Sequence, residues 1–285
     1  MDNQAENCGY SLISKYIYDI SGIIIPPEKY YLIDTRLTKI MLDAGVNDLI
    51  EFYNIISRGD HLTDQKIIDS ITVNETFWFR DSVLWKCFER KILPGLIEQL
   101  RCGEKNSVRI WSAAASTGQE AYSIAMCIDN YLKRNKISDV KLSDFSILAT
   151  DISKRVVEIA ETGRYDKISM TRGLSEHYKA AYFKTNGSVW DIDPAIKSLV
   201  KFRNFNLHDS YTGFGRFDII FCRYVLIYFS NELKEKIITK MKDSLADGGI
   251  FFTGIYVLYD KIKDILNTET YENLTYYSKP RSGKE

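Results

Sequence analysis

Between residues 28 and 45, apolar side chains recur every three or four positions: Tyr30, Ile33, Leu37, Ile40, Met41 and Ala44. That spacing is one face of a helix, with Gly45 as its stop and Pro26-Pro27 as the turn before it. The same period continues from Asp48 to Ser57 through Leu49, Phe52, Tyr53 and Ile56. It predicts a small all-helical domain over residues 1–72, used for packing or docking, and then a linker and connecting helix over 73–106.

The period changes near residue 107. Compact apolar runs at Val108–Ser112, Phe145–Thr150, Val200–Asn206, Phe217–Cys222 and Gly249–Gly254 read as buried strands. Helical stretches at Gly118–Lys133, Ser153–Thr162 and Asn231–Leu245 alternate with them, the signature of a parallel sheet with helices on both faces. Tyr271–Tyr277 predicts one last strand. The section from Tyr165 to Lys197 breaks the alternation, and Asn186-Gly187 between Tyr182-Phe183 and Val189-Trp190 predicts a hairpin there. The expected fold class is therefore α/β, with a helical N-terminal domain, an α/β domain over 107–285, and a small β-subdomain inserted at about 165–200.

Composition narrows the field. With 38 basic and 38 acidic side chains the chain carries no formal net charge, so a strongly basic nucleic-acid surface is not supported. Neither a run of about 18 apolar residues nor a basic-then-apolar start is present, which predicts no membrane span and no secretion signal. Five scattered cysteines (Cys8, Cys87, Cys102, Cys127, Cys222) without C-x-x-C spacing predict reduced thiols, no zinc and a cytoplasmic protein.

Candidate chemistry starts at Trp111-Ser112-Ala113-Ala114-Ala115-Ser116-Thr117-Gly118-Gln119-Glu120, a turn of small residues between a strand and a helix. Such a turn lets backbone approach a ligand at a strand's carboxyl end. Its single glycine lacks both the G-x-G-x-x-G of dinucleotide sites and the Gly-Lys-Ser/Thr of a P-loop. Asp151, closing the next strand, suits a ribose acceptor or, equally, the cap of the following helix. Taken together, turn and acid favour the ribose role. An adenosine ligand without an obligatory pyrophosphate points to S-adenosylmethionine, with its carboxylate expected near the helix start at Gly118.

Two further segments carry polar residues amid apolar ones. They are Thr72-Val73-Asn74-Glu75-Thr76-Phe77-Trp78-Phe79-Arg80-Asp81 and Phe217-Asp218-Ile219-Ile220-Phe221-Cys222-Arg223-Tyr224-Val225-Leu226-Ile227-Tyr228-Phe229. Alone, the first reads equally as an aromatic hinge and the second as a core strand entering a loop. In this order, with the small-residue turn and Ala149-Thr150-Asp151-Ile152, they resemble the CheR-type chemotaxis receptor methyltransferases over nearly the whole chain.

The resemblance implies a Rossmann-like S-adenosylmethionine-dependent methyltransferase, without a metal. It would methylate glutamates on the cytoplasmic helices of chemoreceptors. Position by position it implies cofactor contacts at Asn74, Thr76, Arg80, Glu120, Asp151, Asn206, Leu207, Arg223 and Tyr224. Arg80 and Tyr228 fall beside the methyl group and the incoming carboxylate. A glutamate, with a reference pKa of about 4.3, is already ionised at neutral pH and needs no general base. His61, His177 and His208 accordingly read as structural or solvated.

Departures from the family pattern set further expectations. Tyr224 stands where the family usually has Asn, Gln119-Glu120-Ala121 replaces Glu-Glu-Pro, and Gly254-Ile255-Tyr256-Val257 replaces a Gly-His-Ser-Glu type of segment. Residues 1–70 hold six basic side chains (Lys15, Lys29, Arg36, Lys39, Arg58, Lys66) against eleven acidic ones, so steering by the whole domain toward an acidic receptor is weak. The short hairpin Lys184-Thr185-Asn186-Gly187-Ser188 predicts no grip on a receptor's C-terminal tether peptide. A monomer is expected. A nucleic-acid methyltransferase would share the fold, but the Asp/Asn-Pro-Pro-aromatic motif is absent. A non-catalytic S-adenosylmethionine-binding regulator is the other reading, distinguished by whether methyl transfer accompanies binding.

Overall fold

The computed structural model of the chain describes residues 2–254 and 261–281. Four helices come first: α1 (Asp2–Ser21), α2 (Tyr31–Asp43), α3 (Leu49–Ile56) and α4 (His61–Ile71). Asp48 and Asp60 cap α3 and α4 by accepting hydrogen bonds from backbone N–H groups of the first turn. The apolar stripes turn inward, and Ile13, Ile17, Ile33, Leu37, Phe52, Ile56 and Ile67 form a core of their own. The helix expected over Glu28–Gly45 is divided: Pro27–Lys29 is a 3₁₀ turn and α2 begins at Tyr31. Proline's fixed φ and missing N–H favour such a tight first turn.

A continuous rod follows, α5 (Ser82–Cys87), a π-helical turn (Phe88–Ile92) and α6 (Leu93–Arg101). Leu93 N–H reaches back to the Phe88 carbonyl, and this widened turn lies just before Pro94, whose ring a regular helix interior would not accommodate.

The α/β part runs β1 (Val108–Ala113), α7 (Gln119–Arg134), β2 (Phe145–Asp151), α8 (Lys154–Thr162), β3 (Arg164–Asp166), α9 (Glu176–Tyr182), β4 (Phe183–Asn186) and β5 (Val189–Ile192). It continues with α10 (Pro194–Leu199), β6 (Val200–Asn204), β7 (Phe217–Cys222), α11 (Asn231–Ser244), β8 (Leu245–Thr253), α12 (Ile262–Ile265), β9 (Asn267–Tyr271) and β10 (Leu274–Ser278). Seven strands form one sheet in the order β6-β2-β1-β7-β8-β10-β9. The first five are parallel and the last two antiparallel. Strands β3, β5 and β4 make a separate antiparallel sheet, the inserted subdomain.

The buried strands feed two layers. Ile110, Ile219 and Phe221 pack with Trp85, Phe88 and Tyr122, whereas Trp111, Ile220 and Cys222 pack with Leu233, Ile237 and Met241 of α11. The single final strand expected at Tyr271–Tyr277 is instead a hairpin: Tyr271 pairs with Leu274 across Glu272-Asn273. Glu272 takes the left-handed φ of +50° that closes this turn, a conformation its residue type does not announce. The inserted hairpin turns at Gly187-Ser188, one residue later than Asn186-Gly187, because Asn186 is still paired with Val189. Of the altered segment after Gly254, Ile255-Tyr256-Val257 lies outside the described residues.

Candidate functional site

One cavity opens at the carboxyl ends of the parallel strands and encloses about 1060 Å³ of space, its mouth included. Chain order reverses there, with β2 and β6 on one side of β1 and β7 and β8 on the other, the place where open α/β sheets bind ligands. Every site residue expected from the sequence lines it: Asn74, Thr76, Arg80, Glu120, Asp151, Asn206, Leu207, Arg223, Tyr224 and Tyr228.

The small-residue turn forms one wall through Ala114, Ala115 and Ser116. Ala114 and Ser116 both take positive φ, which bends the backbone sharply after β1. Asp151 holds the bend: its Oδ2 accepts from Ser116 N–H at 2.8 Å and its Oδ1 from Ser153 N–H at 3.0 Å. The cap of α8 is Ser153, not Asp151, so the capping alternative for the acid does not hold. Two carboxylate oxygens offer about four lone-pair sites, so Asp151 keeps capacity for a further donor beyond these backbone groups. Burial raises its carboxyl pKa above the ordinary value, while the backbone bonds from Ser153, Ser116 and Ile152 pull the other way.

Gly118, at the start of α7, does not itself line the cavity. At φ +93°, a Cβ there would lie 3.0–3.1 Å from Ala160, Phe202 and the Tyr165 hydroxyl. Its lack of a side chain serves packing of α7 against its neighbours, and the residues reaching the cavity are the alanines and Ser116.

Beside this wall lies a buried charge cluster. The Arg223 side chain is 2% exposed and bridges Asp81 (Nη2, 2.6 Å) and Glu120 (Nη1, 2.7 Å). Glu120 also accepts from the Ser112 hydroxyl at 2.7 Å, and Arg223 Nη2 from its side donates to the Arg80 carbonyl at 2.8 Å. Burial works against the guanidinium charge, but Glu120 and Asp81 outweigh it and hold the pKa above the ordinary arginine value. Arg223 Nε is buried without a hydrogen-bond partner among the described residues. Asp81 was missed from sequence: it adjoins Arg80, but nothing local shows that it meets a residue 142 positions away.

The Tyr224 phenol donates to Asp81, and its ring lies under the Arg80 guanidinium, 3.5 Å from carbon to centroid. Burial raises the Tyr224 pKa, and the bond to Asp81 adds to this. Burial likewise raises the Tyr228 phenol, with nearby Arg80 pulling it down. Phe79, Asp81, Ala114, Ser116 and Tyr224 are five of the seven non-glycine residues at positive φ among the described residues. All lie in segments that wall the cavity, where strain of roughly 1–3 kcal/mol each is typical of functional sites.

The helical domain completes the enclosure, which sequence patterning did not foresee. Ser21, Ile23, Ile71 and Thr72 line the cavity. Asn206 Nδ2 donates to the Ile20 carbonyl at 3.1 Å, and Ile24 N–H donates to the Tyr228 carbonyl at 3.0 Å. Asp69 of α4 accepts from the Ser153 hydroxyl at 2.6 Å. With Phe205, Leu207 and Phe229, residues Ile23 and Ile71 add apolar lining to the cavity. An acid with spare lone pairs, close-lying backbone and an apolar patch fit a nucleoside carrying a zwitterionic tail.

Comparison with known proteins agrees with this architecture. Residues 9–72 match the all-alpha domain of CheR methyltransferase, and residues 74–268 match the CheR methyltransferase SAM (S-adenosylmethionine) binding domain. Chemotaxis protein methyltransferase 1 of Pseudomonas aeruginosa is 38% identical over 261 residues, 91% of this chain and 93% of the relative. Chemotaxis protein methyltransferase Cher2 of Pseudomonas putida is 38% identical, covering 87% of this chain and 89% of the relative. The chemotaxis protein methyltransferase of Borreliella burgdorferi is 31% identical, with 86% of each chain covered. The strand-end cavity, the helical domain that walls it and these matches lead to one conclusion: the chain belongs to the CheR methyltransferase family and is an S-adenosylmethionine-dependent methyltransferase.

Proposed function

We propose that the chain methylates glutamate side chains on the cytoplasmic helices of chemoreceptors, giving glutamyl methyl esters. The observation that carries this reading is Arg80 and Tyr228 in the same cavity as Asp151 and the small-residue wall. Asn74, Thr76, Arg80, Glu120, Asp151, Asn206, Leu207, Arg223 and Tyr224 would hold the cofactor. When bound, S-adenosylmethionine supplies a methyl group on a positively charged sulfur, and its transfer to a carboxylate leaves a neutral ester and a neutral thioether.

The chain's own work is positioning and desolvation. The acceptor carboxylate needs no base, and no histidine lines the cavity. The Arg80 guanidinium and Tyr228 hydroxyl orient it. Ile23, Ile71, Phe205, Leu207 and Phe229 exclude water, which favours a reaction in which opposite charges disappear. Asp151 offers its remaining lone pairs to ribose hydroxyls.

The proposal extends to a cytoplasmic monomer that recognises receptors without a tether peptide. The inserted hairpin closes in two residues, Gly187-Ser188, leaving no extension to grip one. Tight binding of a receptor C-terminal pentapeptide would refute that part. The central test is incubation with methyl-labelled S-adenosylmethionine and receptor cytoplasmic fragments. Base-labile label on the fragments is expected; cofactor binding without transfer would leave a regulator instead. Arg80→Ala and Tyr228→Phe each slow transfer by roughly 10- to 100-fold, the scale of one lost orienting contact. Unchanged rates in both would sink the assignment.

A further inference from the structure

The Arg80 guanidinium has a weak polar anchor. One nitrogen donates to the Glu75 carbonyl at 3.3 Å, long for such a bond. Its larger contact is a face: the Tyr224 ring centroid is 3.5 Å from the guanidinium carbon, and the Phe77 ring is 5.2 Å away. The Tyr224 ring is itself fixed from three sides. Its phenol donates to Asp81 Oδ2, the same oxygen that receives Arg223 Nη2 at 2.6 Å. Its backbone sits at φ +59°. Gly254 lies so close that a Cβ there would stand 3.0 Å from two carbons of the ring.

We propose that Tyr224 is a positioning residue for methyl transfer, its ring a shelf for the Arg80 guanidinium and its phenol latched by Asp81. The buried Asp81–Arg223–Glu120 cluster then sets the direction of the group that receives the acceptor. The inference rests on the reading that Arg80 orients the acceptor carboxylate. A cation on an aromatic face keeps its N–H edge available to a carboxylate, whereas a second acid beside it would compete for that edge. This resolves a conflict in the chemistry: the arginine must aim a nucleophile without a salt bridge of its own. Asparagine, the usual family residue at this place, offers no such face.

The test uses the full-length chain with Tyr224→Leu, Tyr224→Phe, Arg80→Ala and the Arg80→Ala/Tyr224→Leu double variant. In ligand-free protein, nuclear magnetic resonance should show the Arg80 guanidinium protons shifted upfield by the ring. The shift should vanish in Tyr224→Leu and survive in Tyr224→Phe. Tyr224→Leu should lower kcat for receptor-fragment methylation by about 3- to 30-fold, the worth of a partly desolvated cation–π contact. With S-adenosylmethionine saturating, so that a lost cofactor contact of Tyr224 does not enter, the same change in the Arg80→Ala background should cost less than about twofold, since the partner is gone. A merely structural role would make the losses multiply. Multiplying losses, or an upfield shift absent from the wild type, would overturn the proposal. So would a slow Arg80→Ala alongside a normal Tyr224→Leu. If Arg80→Ala transfers at the wild-type rate, the reading of the whole site fails and this inference with it.

Discussion

Replacing Arg223 by methionine removes the cation from a cluster in which it is 2% exposed and its partners Asp81 and Glu120 are 18% and 13% exposed. Methionine fills most of the same volume, so the change is chiefly one of charge. Breaking a buried pair by deleting one partner costs about 3–5 kcal/mol, mostly because the remaining charge is stranded. Here two carboxylates are stranded, but each retains a donor: Ser112 for Glu120 and the Tyr224 phenol for Asp81. That compensation places the expected loss near ~3 kcal/mol. Urea unfolding followed by tryptophan fluorescence measures it, because Trp78, Trp85, Trp111 and Trp190 all lie beyond α4, in the part that contains Arg223. Adding Glu120→Gln to the Arg223→Met chain should recover stability, since one of the stranded charges is gone. The exposed Arg101–Asp139 pair is the control: Arg101→Met should leave the unfolding midpoint unchanged. A loss in Arg223→Met below about 1 kcal/mol, or a second substitution that worsens it, would show that the cluster is not held by charge pairing.

Two further outcomes follow from the site and its supports. Asp151→Asn should weaken S-adenosylhomocysteine binding about tenfold by calorimetry, the loss of one charge-assisted hydrogen bond. Burial raises the folded carboxyl pKa above 3.8, so wild-type affinity should fall on acidification earlier than an exposed aspartate would dictate. For the ligand-free chain the sign is opposite: because the folded pKa is raised, Asp151's contribution to stability is present below its unfolded value and lost as pH rises through the folded one. Equal affinities, or equal pH slopes in wild type and variant, would refute the ribose role. Gly173→Ala, at φ +78°, would place a Cβ 1.9 Å from the Trp78 carbonyl oxygen. It should break the bonds from Trp78 to Arg172 and Ser169 at a cost of roughly 2–5 kcal/mol by urea unfolding, and wild-type stability would show that the subdomain is not clamped there.

Periodicity and local punctuation were enough to locate most elements. Val108–Ser112 and Phe217–Cys222 were legible as strands because both faces are buried, and the run of apolar residues says so. The misses share a local cause. The β9–β10 hairpin turns on a glutamate in a left-handed conformation, and the helix expected from Glu28 begins only at Tyr31 because the turn at Pro26-Pro27 extends through Lys29 as a 3₁₀ turn. The candidate residues were legible only as four segments in order; their spacing alone did not say which side chains meet.

By itself, the sequence determined the helix–strand alternation, the small-residue turn after β1 and the acid that ends β2. These depend on residue type and on which face of one element is buried, quantities that a short window contains. Tertiary structure alone decided that Asp81 and Arg223 pair across 142 positions and that Asn206 reaches Ile20 across 186. It also packed Gly118 against Ala160, Phe202 and Tyr165, closed the cavity with the helical domain, and laid Arg80 on the ring of Tyr224. A charge or a ring takes the partner that the packing of distant elements brings to it, and no local period encodes that meeting.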